Sequence, residues 1–192
     1  MKGMAPIRLA LTALLLLAPL AAARAAPEIQ GVYSLKLGQT RAEAESTLAG
    51  DDRFDRIAGR HYKDFPLYDT TLGGHEMRVR PTFEDGKLVE IELRFRQIVS
   101  PNDVTPVIRD QVRFAVDALS QRFGEPDRQP IPVERIDPRV FEDGGRVVSH
   151  QWRRGQRLAE VDLWRERFDF GAAIVLAEQH TREQADSAAE AF

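Results

Sequence analysis

Three stretches of the chain carry residue types that do chemistry. Asp51-Asp52-Arg53-Phe54-Asp55 has the carboxylate spacing with which prenyl-transferring enzymes hold magnesium and diphosphate, since clustered oxygens suit that hard cation. That chemistry needs the carboxylates on a long helix. Here they follow Gly50, a residue expected to stop one, so a solvated loop over Asp51 to Gly59 is the expectation. His75-Glu76 begins like a zinc-binding H-E-x-x-H, but Val79 stands where the second histidine belongs. His61, His75, His150 and His180 show no paired ligand spacing. No serine sits in a G-x-S-x-G elbow, and no G-x-G-x-x-G or phosphate-binding loop occurs. No catalytic residue, metal ligand or cofactor is assigned. A site assembled by the fold from His61, His75, His150 and a carboxylate is the alternative.

The third stretch is a binding candidate. Arg153, Arg154, Arg157, Arg165 and Arg167 surround Trp152 and Trp164. In the alternation from Arg157 to Trp164, Ala159, Val161 and Leu163 share one face, while Trp164 falls with Glu160 and Asp162 on the other. An outward tryptophan flanked by arginines is typical interface chemistry. Trp152, Arg154, Arg157, Trp164 and Arg165 are therefore the candidate binding residues. The competing reading is that a helix covers that face, or that Trp164 closes the edge of the core.

The elements that would position these residues are legible in the periodicity. Gly31 to Leu37 suits a first strand, and Thr40 with Glu43 forms a capping box that opens a short helix, Arg41 to Ala49, ended by Gly50. His61 to Tyr68 reads as a weak strand, and Met77 to Phe83 as a stronger one. Asp85-Gly86 is a hairpin turn. It leads into Val89 to Phe95, where Val89, Ile91, Leu93 and Phe95 alternate with Glu90, Glu92 and Arg94. Glu90 and Glu92 are expected to pair with Arg78 and Arg80 across that hairpin, fixing register more than stability. Val104, Ile108, Val112, Ala115, Leu119 and Phe123 then make one apolar helical stripe, closed by Gly124 and Pro126. Gln129 to Pro138 is an extended connector. After it, Val147 to Trp152, Arg157 to Trp164 and Phe168 to Ala177 read as a meander.

The predicted fold class is α+β: an antiparallel sheet of two three-strand meanders with two helices packed on one face. Phe83-Glu-Asp-Gly recurs at Phe141 to Gly144. A decayed tandem duplication, with halves 31–100 and 101–178, and ordinary hairpin chemistry explain that echo equally well. Residues 26–178 form a single domain in this reading, and 179–192 a polar, alanine-rich flexible tail.

Residues 1–25 read as a signal peptide. Lys2 and Arg8 precede an apolar run from Leu9 to Leu20, and Ala23-Arg24-Ala25 is a cleavage site before Ala26. Cleavage removes three of the 27 Lys+Arg and none of the 30 Asp+Glu, moving the net charge from −3 to −6. An acidic product without a basic tail argues against nucleic acid as a partner. The apolar run is shorter than the ~20 residues of a membrane span. There is no cysteine, hence no disulfide, thiolate site or lipid-attachment residue. A free periplasmic protein, with neither membrane span nor lipid anchor, is the expectation.

Leu35-Lys-Leu-Gly-Gln-Thr with Glu43, the Phe83-Glu-Asp-Gly-Lys-Leu hairpin and Leu119 to Pro126 resemble small bacterial envelope proteins of the β-lactamase-inhibitory-protein-like scaffold. The small outer-membrane-assembly lipoproteins share it. The resemblance could cover most of Gly31 to Ala177, and it implies an exported, non-catalytic α+β module that presents a sheet face to partners. The lipoprotein branch needs an N-terminal cysteine, which this chain lacks. The functional expectation is thus a periplasmic binding or envelope-accessory protein, not an enzyme, acting through protein or peptide contacts in the cell envelope. A periplasmic enzyme or small-ligand carrier using scattered His and carboxylate residues is the alternative.

Overall fold

The computed structural model describes residues 27–100, 104–141 and 145–182. Its first element is a minimal hairpin, β1 (Gly31–Val32) against β2 (Leu35–Lys36). The single strand expected there is broken because Tyr33 adopts a left-handed φ of 51°. Next comes α1 (Arg41–Gly50), opened by the capping box. Glu43 N donates to Thr40 Oγ1 at 3.3 Å, and Thr40 N donates to the Glu43 carboxylate at 2.7 Å. Gly50 is not a left-handed stop. It is the last helical residue, and Asp51 leaves it in an extended conformation.

A four-strand meander follows: β3 (Phe54–Tyr62), β4 (Phe65–Leu72), β5 (His75–Glu84) and β6 (Lys87–Phe95). The sequence suggested a loop over most of β3. That strand lies at the sheet edge and buries only Phe54, so backbone pairing with β4 forms it without apolar alternation. At the β5–β6 turn Asp85 and Gly86 take φ of 47° and 74°, the handedness a two-residue hairpin turn requires.

The long helix α2 (Val104–Phe123) buries the whole expected stripe. Gly124, at φ 80°, ends it and donates its N–H to the Ser120 carbonyl. The connector contains two 3-10 turns, at Val133–Arg135 and Pro138–Val140. The chain then forms β7 (Arg146–Arg154), β8 (Arg157–Glu166) and β9 (Asp169–Glu178). Most of the second Phe-Glu-Asp-Gly turn, 142–144, lies outside the described residues.

Strands β3 to β9 form one antiparallel sheet in the order β3-β4-β5-β6-β9-β8-β7. The class is therefore α+β, with four strands from the first meander and three from the second. The near face carries Leu93, Val161, Ile174 and Leu176, which share one core with α2 and with Ala44 and Leu48 of α1. A separate apolar cluster, Leu158, Val175 and Ala177, sits on the far face. Each large side chain buried on the near face contributes about 1.5–3 kcal/mol, against about 0–1 kcal/mol for an exposed ion pair. The near face therefore holds the fold, which leaves the far face free to carry charge. No helix among the described residues is long and apolar enough to cross a membrane.

Candidate functional site

The five candidate binding residues do not form one surface. Trp152 is fully buried on the near face, and its Nε1 donates to the Gly124 carbonyl at 2.7 Å. Arg154 donates to the Phe123 carbonyl and to Asp127. Together they satisfy carbonyls at the C-terminal end of α2, where helix geometry leaves acceptors without partners. Arg157 ties β8 to Glu178 at 2.9 Å and to the Ile29 carbonyl at 3.2 Å, fastening the N-terminal segment to the sheet. Arg165 donates to the Arg167 carbonyl within the β8–β9 turn. Trp164 shares the far face with Glu160 and Asp162, as the alternation predicts, but is only 4% exposed. Its ring lies over Gly171, beneath the Arg94 guanidinium at 4.4 Å. The outward tryptophan patch is thus replaced by two buried rings on opposite faces.

The far face instead assembles a charged trough. Register pairs Glu90 with Ala177, Glu92 with Val175 and Arg94 with Ala173 on β9. On the other side of β9, Glu160 pairs with Val175 and Asp162 with Ala173. Short side chains thus floor the trough, and carboxylates from β6 and β8 wall it. A helical turn over 179–182 folds back across it. There Arg182 donates to Glu90 at 3.2 Å, to Glu160 at 2.8 Å and to Asp162 at 2.7 Å. Arg146 of β7 lies 3.3 Å from Glu90, 3.5 Å from Glu92 and 3.8 Å from Asp162. Arg94 closes one end, donating to Glu92 at 2.7 Å and to Glu166 at 2.5 Å.

Glu90, Glu92, Glu160 and Asp162 meet the guanidinium groups of Arg94, Arg146 and Arg182 here, with Glu92 1% and Asp162 0% exposed. Burying charge is costly unless every lone pair is matched. Among the described residues Glu92 Oε2 and Asp162 Oδ1 accept no hydrogen bond, although Arg146 lies 3.5 Å from Glu92 Oε2. Burial pushes the Asp162 carboxyl up to about 7; Arg182 and Arg146 oppose this, and Glu160 adds to it. For Arg182, burial alone would lower the pKa, but Asp162, Glu160 and Glu90 outweigh it and hold the guanidinium charged.

The trough has an entrance. A cavity of about 140 Å³ opens between the 128–130 segment and the far face of β7 and β8. Glu160 and Arg182 form part of its wall, with Gln151, Arg153, Val148 and Leu158. Gln151 donates to Glu160 at 2.6 Å, and Arg153 Nε donates to Gln151 at 2.9 Å. Arg128, at the rim, has no side-chain partner among the described residues.

The hairpin pairing expected for Glu90 and Glu92 is not formed. Arg78 pairs with Asp69 at 3.0 Å, and Arg80 lies 3.5 Å from Glu166. Register sets Arg80 opposite Glu92, but Arg94 and Arg146 take that carboxylate. The repeated acid-x-acid pattern at Glu90–Glu92 and Glu160–Asp162 was a readable signal for the trough. Arg182, in a polar tail, carried none.

The remaining motifs stand apart from the trough. Asp51 is held by Arg53 and Ser34, which together depress its pKa below the usual carboxylate range. His75 packs against Phe95 and Phe114. His150 is buried and stacked on Trp152, and burial lowers its pKa. Ser149 Oγ donates to the Ile131 carbonyl and lies 2.7 Å from His150 Nδ1, so the ring N–H donates to it. This serine, 0% exposed, is not available as a nucleophile. His180 lies 3.6 Å from Glu84. No grouping of three or more His, Cys, Asp or Glu suited to a metal occurs among the described residues.

No family model, no curated protein and no solved structure matches this chain.

Proposed function

We propose that the chain is an exported, non-catalytic binding protein of the cell envelope, one that engages a protein or peptide partner through the far face of its sheet. The leader-like residues 1–25 support export to the periplasm. The α+β antiparallel build is in keeping with the β-lactamase-inhibitory-protein-like resemblance, whose members present a sheet face to partners.

The observation that carries the proposal is the far face itself. Carboxylates that served only to keep a sheet soluble would stand in water. Here they are buried, with Asp162 Oδ1 accepting no hydrogen bond among the described residues, next to a cavity at whose rim the Arg128 side chain has no partner among those residues. Buried charge beside a cleft is the usual mark of a functional site, and the apolar wall of Val148 and Leu158 gives a partner something to bury.

Capture from periplasmic extract tests this. The bait is the exported protein, compared with an Arg128→Glu, Arg153→Glu variant at the cleft and with Arg113→Glu on the exposed side of α2. The cleft variant is expected to lose a partner that Arg113→Glu retains. Equal capture by all three proteins, or equal loss in both variants, would overturn the proposal.

A further inference from the structure

We propose that the trough is a receptor for an arginine side chain presented by a partner polypeptide, and that Arg182 is its occupant in cis. This rests on the reading of the far face as the binding surface, and it names the chemistry that surface takes. The trough already shows its preference: one guanidinium, using Nε and both Nη atoms, spans carboxylates on β6 and β8 across the floor of β9. A planar fork of five donors matches paired carboxylates in a way a lysine ammonium does not. With Arg182 in place, Asp162 Oδ1 still accepts no hydrogen bond among the described residues.

The strap that delivers Arg182 has further contacts along its length. Gln179 N donates to the Gln156 carbonyl, while Thr181 lies 3.4 Å and His180 3.6 Å from Glu84. Arg182 alone reaches into the trough, where it bonds three carboxylates. The cavity reaches the Glu160–Arg182 pair directly, so an incoming arginine meets the site where the strap would be displaced. Arg128 and Arg153 at the rim repel a run of basic residues and select a segment with an isolated arginine. A site filled in cis binds in trans only in the fraction of molecules whose strap is lifted, which weakens the apparent affinity by that fraction.

The test uses calorimetry with the blocked peptide Gln-His-Thr-Arg, the strap's own sequence, and a copy carrying citrulline in place of arginine. Citrulline keeps the shape and removes the charge. Arg182→Ala is expected to bind the arginine peptide at least about tenfold more tightly than the unaltered protein, with no gain for the citrulline peptide. Where Arg182→Ala does not fold because its carboxylates are left uncompensated, Glu84→Gln carries the test. It loosens Thr181 and His180 and leaves every trough charge in place, with an expected gain of about threefold. A folded variant that binds no better than the unaltered protein overturns the proposal, as does a citrulline peptide that binds equally well. If the peptide fails while capture still depends on Arg128 and Arg153, the face binds by other chemistry. If capture does not depend on them, the binding-face reading itself falls.

Discussion

At the scale of single residues, the far face turns on Asp162. Burial raises its folded pKa from the ordinary 3.8 to about 7, so the native state holds a proton that the unfolded chain has already released. The stability this contributes is complete below the ordinary value and is lost as pH rises through about 7. Asp162→Asn keeps the shape and removes the titration. Relative to the parent, the variant should gain stability between about pH 5 and about pH 8, by a few kcal/mol in order of magnitude. Urea denaturation at both ends of that range measures it, and a pH-independent difference contradicts the assignment. His150, lowered by burial, acts with the opposite sign. Its contribution is present above its ordinary 6.5 and fades as pH falls, and it cancels in the comparison because both proteins carry it. The alternation of β8 placed Asp162 and Trp164 on a common face. It could not say that the face was covered, because alternation reports which residues point together and not what lies above them.

At the scale of elements, two features invite direct tests. Gly171 lies opposite Trp164 in the β8–β9 ladder, and a Cβ there would meet the indole ring at 2.4 Å. Its backbone is not left-handed, so the constraint is the ring alone. Gly171→Ala should cost about 1–3 kcal/mol through overpacking and disturb the Arg94 stack on Trp164. Urea unfolding and tryptophan fluorescence report the two effects separately. A cost below a few tenths of a kcal/mol would mean that the ring moves freely. At the start of α1, Thr40→Ala removes a hydroxyl cap and should cost about 1 kcal/mol. Amide exchange in Ala44 to Leu48 should quicken with it. The capping box and the α2 stripe were legible because their signals span only a few residues and one helix. β3 was not, because an edge strand forms from backbone pairing and leaves little pattern in its side chains.

At the scale of the whole molecule, the last strand is an interior one: β9 pairs with β6 on one side and β8 on the other. The N-terminal meander meets the C-terminal one through that contact, through the ion pairs of the trough and through the shared core with α2. Unfolding should therefore be a single cooperative transition, with far-ultraviolet dichroism and tryptophan fluorescence coinciding. A fragment of residues 27–100 should not fold alone, since Ile91 and Leu93 of β6 would lose both β9 and α2. Two separated transitions, or a cooperatively folded fragment, would instead support two independent halves.

Local chemistry was enough to read the fold class, the long helix, the capping box and the Asp85-Gly86 turn from the residues alone, because each is decided by neighbours a few positions apart. The same holds for the shared face of Glu160, Asp162 and Trp164, which follows from a period of two. The tertiary structure decided the rest. It set β9 between β6 and β8, so that two acid-x-acid pairs some 70 residues apart face each other across a floor of alanine and valine. It turned Trp152 and Arg154 into caps for α2, and it brought Arg182 from a featureless tail into the trough. Strand order and long-range ion pairing depend on which segments meet, and no local pattern encodes that.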